Sequence, residues 1–362
     1  MFNCSLLRGI AAVGGVVALS VTAVGAQGVS FEGQRVEAIV PFGEGGGADT
    51  YTRFIVRHLE PHLAGEPTIV VRNIPGGGSV NGANWFGQNA ERDGTHIAVA
   101  STSTTLTYAL TPDDDRIAFN ASEWVAFLAS PQGRVVYVNS STGINSLEDL
   151  ASFEGDLFMG IQSPTGSDLP SLLSLELLDA PITPVFGTSG GDQHLAFERG
   201  EFGINADVAS AYIQMAQPLV DRGIAVPLFA FGYADENGEI QRDPNFPDLP
   251  SFVEAYEIVH GEAPSGPGFE AWRTMFFMGV MASKSMVLPD GVSEEAVAAY
   301  GAAVEAMIED PQFQAEAADF IGNYPQLTGD AARESLRQAT TISDEARQWV
   351  ADWLMESYNI EL

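Results

Sequence analysis

The sequence predicts an α/β protein organised around a parallel sheet, and three observations carry that prediction. Short apolar strands alternate with helical patterns, two glycine-rich loops each join such a strand to a helix, and 45% of residues are hydrophobic despite 48 acidic against 16 basic side chains.

The first strand, Val36 to Val40, runs into Pro41-Phe42-Gly43-Glu44-Gly45-Gly46-Gly47-Ala48-Asp49. Asp49 reads as a helix N-cap, and Tyr51, Phe54, Ile55, His58, Leu59 and Leu63 share one helical face. The second strand, Thr68 to Val71, leads through Arg72 and Asn73 into Pro75-Gly76-Gly77-Gly78-Ser79, with a helix expected over Val80 to Ala90. Arg92-Asp93-Gly94-Thr95 then turns into a strand over His96 to Ala100. This β-loop-α order, given twice, implies parallel strands joined by right-handed crossovers, with both loops at carboxyl ends of neighbouring strands. Glycine brings bare N–H groups close to a ligand, and a helix start adds its dipole, so the loops are expected to make one anion-binding cleft. The polar segment Ser101 to Thr105 leaves the next strand toward the same crevice.

The middle of the chain repeats the alternation. Strands are expected over Trp124 to Leu128, Val135 to Val138, Leu157 to Ile161, Thr183 to Phe186, Phe202 to Ala206 and Ala225 to Phe231. The loops Gln162-Ser163-Pro164-Thr165-Gly166-Ser167-Asp168 and Gly187-Thr188-Ser189-Gly190-Gly191-Asp192 each open a helix. Tyr233 to Gly268 reads as loops with a helix near Phe252 to Tyr256, and Arg273 to Ala282 as a strongly apolar strand. The remainder is helical and reads as packing.

Arg8, the apolar run from Ile10 to Val24 and Val24-Gly25-Ala26 before Gln27 have the layout of a secretory signal peptide over residues 1–26, placing the mature chain outside the cytoplasm. Cys4, the only cysteine, would leave with it, and with it any disulfide or thiolate metal site. A net charge of −32 excludes nucleic acid and anionic membrane surfaces as partners. His58 and His62 stand i, i+4 but lack the acidic neighbour and third ligand of a metal site. Gly187-Thr188-Ser189-Gly190-Gly191 fits the G-x-S-x-G nucleophile turn with His260 downstream, which makes a secreted serine hydrolase the rival class.

Ile39-Val40-Pro41-Phe42 with Gly45-Gly46-Gly47-Ala48-Asp49, Asn73-Ile74-Pro75-Gly76-Gly77-Gly78, Asp93-Gly94-Thr95, Ser163-Pro164-Thr165-Gly166-Ser167, Arg199-Gly200-Glu201-Phe202 and Pro289-Asp290-Gly291-Val292 occur in an order that resembles the Bug-type solute receptors of tripartite tricarboxylate transporters. The resemblance implies a type II periplasmic-binding-protein fold: two α/β lobes hinged by two crossing strands, near Val135 to Asn139 and Phe276 to Met281. Lobe one would be 27–134 with 282–362, and lobe two 135–281. It further implies a monomeric receptor, without cofactor or metal, that closes on a small organic acid and serves membrane permease subunits; delivery to a sensor is the alternative. Carried over, one carboxylate meets backbone N–H groups of Phe42, Gly43, Gly45, Gly46, Gly76, Gly77, Gly78 and Ser79. Ser163, Thr165, Gly166 and Ser167 face the far end of the ligand, with Thr188, Ser189 and Gly190 nearby; Asp49, Ser101, Thr102 and Asp207 complete the candidates. The candidate loops contain no lysine or arginine, in keeping with the mode the resemblance implies, capture by backbone amides and water with few side-chain cations. Glu44, in the first loop, and the loss of a tyrosine and a lysine around Gly187 depart from the family pattern.

Overall fold

The computed structural model describes residues 29–235 and 237–362; the expected leader, its expected cleavage near Ala26 and Cys4 lie outside the described residues. Among the described residues no helix is long and apolar enough to cross a membrane.

Strands β1 (Arg35–Val40), β2 (Thr68–Asn73) and β3 (His96–Ser101) are parallel, as the repeated β-loop-α order requires. Helices α1 (Gly47–Leu59), α2 (Val80–Asn89) and α3 (Thr102–Leu110) follow the three strands. The expectation of a parallel sheet is corrected by two later strands that run against the rest. After β4 (Val125–Ser130) the chain enters a second region with β5 (Arg134–Asn139), β6 (Leu157–Ile161), β7 (Ile182–Phe186), β8 (Ile204–Val208), β9 (Ala225–Ala230) and the hairpin of β10 (Tyr233–Ala234) and β11 (Ile240–Gln241). It returns as β12 (Lys284–Leu288), which inserts antiparallel between β3 and β4, and β13 (Leu327–Thr328) closes the edge, giving the order β13-β4-β12-β3-β1-β2.

The second region holds the antiparallel sheet β8-β5-β9 and the parallel pair β6-β7, joined by helices α4 (Leu147–Ala151), α5 (Leu169–Leu177) and α6 (Gly190–Glu198). The apolar run expected as a strand over Arg273 to Ala282 is helical instead, first as Pro267–Phe276 and then as a wider turn over Phe277–Met281. A short apolar run has the same composition in a buried strand and a buried helix, so periodicity alone does not separate them. Here Trp272, Met275 and Phe276 are fully buried beside Phe252, whose ring centroid lies 4.1 Å from that of Trp272. The final helix, Asp344–Tyr358, sends Val350, Trp353 and Leu354 into the same core.

The main chain passes between the two sheet systems at residues 131–133 and back at 282–283. The first connection is tied to the wide turn that precedes the second, Gln132 N–H donating to Val280 O at 2.9 Å. Both crossings lie beside, not within, the segments the sequence pointed to, and the second follows a helix.

One glycine fixes how the first two strands present their ends. A Cβ at Gly82 in α2 would lie 2.6 Å from both Ile74 O and Pro41 Cα, so backbone from both strand ends closes on it. Gly82→Ala is expected to cost about 1–3 kcal/mol, read as a lower urea midpoint with unchanged slope.

Candidate functional site

A cavity of about 240 Å³ opens where the carboxyl ends of β1, β3 and β8 meet the amino ends of β5 and β12. Phe42, Gly43 and Gly46 reach it from the first loop, Ser101 and Thr102 from the start of α3, and Ser167, Ser189, Gly190 and Asp207 from the second region. Nine of the sequence candidates therefore share one wall system.

The others do not. Gly45, at φ +77°, turns its N–H onto Asp49 Oδ2 at 2.9 Å. Asp49 is the third residue of α1 and not its N-cap, which is Gly46. Its carboxylate is buried and takes three donors, the third and second being Arg53 Nε at 3.0 Å and Asn73 Nδ2 at 2.9 Å. Burial opposes its charge, but these hydrogen bonds hold its pKa below the ordinary value. Asp49 thus braces the loop.

The second glycine loop also departs from the expectation of a single cleft. Val40 and Asn73 are register partners, and Gly76, Gly77, Gly78 and Ser79 beyond them all have positive φ. A Cβ at Gly78 would sit 3.2 Å from Ser163 Cβ. Gly77 and Gly78 line a separate cavity of about 890 Å³ with Ser163 and Thr165, while Gly76, Ser79, Gly166 and Thr188 line neither. Hydroxyl contacts join α3 to the 163–168 loop at each cavity: Ser167 N–H donates to Ser103 Oγ at 2.9 Å at the smaller one, and the Thr107 and Thr165 hydroxyls lie 2.9 Å apart at the larger.

Two cationic side chains, neither among the sequence candidates, line the smaller cavity. Arg134 opens β5 directly after the first crossing, and Lys284 opens β12 directly after the second. Both are buried, at 4% and 3% exposure. Arg134 Nη1 donates to Ser171 Oγ at 3.3 Å and Ala206 O at 3.5 Å, with Asp168 Oδ1 at 3.7 Å. Lys284 Nζ donates to Gln132 Oε1 at 3.0 Å and lies 5.6 Å from the centroid of the Tyr51 ring. Burial, reinforced by the Arg134 charge, pushes the Lys284 pKa down to about 7; burial also lowers that of Arg134, against the pull of Asp168 and Asp207.

Asp207 accepts from Tyr137 OH at 2.5 Å and pairs with His194 Nε2 at 3.1 Å. Burial disfavours a charged His194, yet the Asp207 charge and hydrogen bond keep its pKa above the ordinary value.

This is the fold of Bug-type periplasmic binding proteins. The structure is similar to that of the periplasmic binding protein BugD, at 18% identity and TM-score 0.66, over 90% of this chain and 98% of that one. It is also similar to MatC from Rhodopseudomonas palustris with bound malate (20% identity, TM-score 0.64, 87% and 98% covered). A third such structure is R. palustris Rpa4515 with adipate (19%, TM-score 0.67, 90% and 98%). No protein-family model and no curated protein sequence matches the chain.

Within the Bug-type fold the hydrolase constellation does not assemble. Ser189 is the N-cap of α6, its Oγ donating to Asp192 Oδ2 at 2.6 Å and accepting the Asp192 N–H at 3.3 Å. His260 Nε2 is spent on Leu177 O at 2.9 Å.

Proposed function

We propose that the chain is an extracytoplasmic solute receptor that captures a small organic carboxylate in the 240 Å³ cavity, closes about the crossings at 131–133 and 282–283, and hands the ligand to membrane permease subunits of tripartite tricarboxylate type. The observation that carries this reading is the pair Arg134 and Lys284, two buried cations on one cavity in a chain whose net charge is −32. A buried charge is retained where something offsets its desolvation, and a carboxylate bound between them does so. The starts of α1 and α3 add N–H groups and the positive ends of their dipoles. MatC and Rpa4515, which share the fold, carry malate and adipate, both organic acids.

The receptor works as a monomer without cofactor or metal, and turns nothing over. A thermal-shift screen of the purified protein against organic acids is expected to raise Tm by several degrees with at least one of them at millimolar concentration, as ligand held by the folded state alone must do. Absence of any shift across mono-, di- and tricarboxylates and amino acids, or covalent labelling of Ser189 by a fluorophosphonate, would remove this reading.

A further inference from the structure

We propose that the cavity is built for a ligand bearing one carboxylate and discriminates against di- and tricarboxylates. This rests on the receptor reading and sharpens its substrate class.

The charges of the groups that face the cavity set how much ligand charge it can match. The cations are Arg134, from β5, and Lys284, from β12; among the described residues no third basic side chain lines it. Three carboxylates line the same space: Glu44 after β1, Asp168 before α5 and Asp207 in β8. His194, from α6, is bonded to Asp207 and moderates that charge without lining the cavity.

Arg134 already has its counter-charge, with Asp168 at 3.7 Å and Asp207 in its field. Lys284 does not. Its ammonium meets an amide oxygen and an aromatic face, and among the described residues no carboxylate lies within 4 Å of it. A cation out of water without a counter-ion leaves room for a single negative charge.

The neighbouring donors point to the same place. Ser283 lines the cavity, is 1% exposed, and its Oγ has no hydrogen-bond partner. Thr102 N–H donates to Ser283 O at 3.0 Å and so ties the start of α3 to this strand; Lys284 Nζ and Ser283 Oγ, beside the remaining first-turn N–H groups of α3, thus form a seat for one carboxylate. A second carboxylate on the same ligand meets Glu44, Asp168 or Asp207 and finds no further cation; in so small a space like charges repel strongly.

Calorimetric titration of the whole protein with matched sodium salts tests this. Lactate is compared with malate, propionate with succinate, and alanine with aspartate. The single-carboxylate member is expected to bind at least tenfold more tightly in the pair that best fits the cavity. Glu44→Gln and Asp207→Asn, measured separately, are expected to narrow the gap by improving dicarboxylate binding severalfold. Equal or tighter binding of the dicarboxylates, or a gap unmoved in both variants, overturns the proposal while leaving the receptor reading intact. Binding of no acid at all overturns both.

Discussion

Replacing Lys284 by methionine is expected to stabilise the ligand-free protein and, in the same step, to abolish carboxylate binding. The sign of the first effect follows from proton linkage. In the unfolded chain the lysine keeps its proton to about pH 10.5, whereas in the folded protein it gives it up near 7. Between those values the unfolded state binds more protons, so wild-type stability rises with pH by up to about 1.4 kcal/mol per unit. Below pH 7 the full cost is present, of order 4–5 kcal/mol. Methionine has similar length and no charge to desolvate, and Gln132 Oε1 still receives the Ser210 hydroxyl at 2.7 Å. The variant is therefore expected to gain about 1–4 kcal/mol at pH 6, with the gain fading toward pH 10. Urea unfolding at pH 6 and pH 9 measures it, and identical curves for the two proteins at both pH values would show that Lys284 carries no such cost.

Ligand reverses the pH trend. A bound carboxylate gives Lys284 back its counter-ion and raises its pKa, so binding takes up a proton above pH 7. Affinity is expected to fall about tenfold per pH unit from there until the bound-state pKa is reached. Stability rising with pH while affinity falls is a combination that a purely backbone-lined site does not give, since amide N–H groups do not titrate in this range.

The contrast between what the sequence made legible and what it hid lies in where each donor sits. Phe42, Gly43, Gly46, Ser101 and Ser167 were legible because strand ends followed by glycine or hydroxyl residues are where open α/β sheets bind ligands. Arg134 and Lys284 are single basic residues at the starts of apolar strands, positions that read as strand boundaries. The available signal was that Lys284 is the only lysine in the chain. Reading Arg273 to Ala282 as the strand left that lysine beyond its end, whereas the true strand starts on it. The placement of the second glycine loop on another cavity was hidden for a different reason. Its composition matches the first, but the run of positive φ from Gly76 to Ser79 aims it at Ser163, and composition does not encode that direction. Asp49 shows the same limit on a smaller scale: its hydrogen bonds to Gly45 and Asn73 depend on a loop conformation set by the second strand.

Arg134→Met is expected to do the opposite of Lys284→Met and destabilise the protein by about 3–5 kcal/mol. The two residues face the same cavity and are buried to the same degree, so burial alone predicts the same sign for both. Their partners separate them. Removing Arg134 strips the counter-charge from Asp168 and Asp207, which stay buried at 7% and 9% exposure, and deletes donors to Ser171 Oγ and Ala206 O. Removing Lys284 orphans no carboxylate. Adding Asp168→Asn to Arg134→Met should recover at least half of the loss, because the amide keeps the shape of Asp168 and the Gln193 side chain, 3.4 Å from it, can still pair with its oxygen. Equal destabilisation by both single variants, measured in urea at pH 7, would mean that the two cations share one structural role and that neither is held in reserve for a ligand. Opposite signs would mean that Arg134 neutralises the protein's own carboxylates while Lys284 waits, half-protonated, for a carboxylate that the protein does not itself supply.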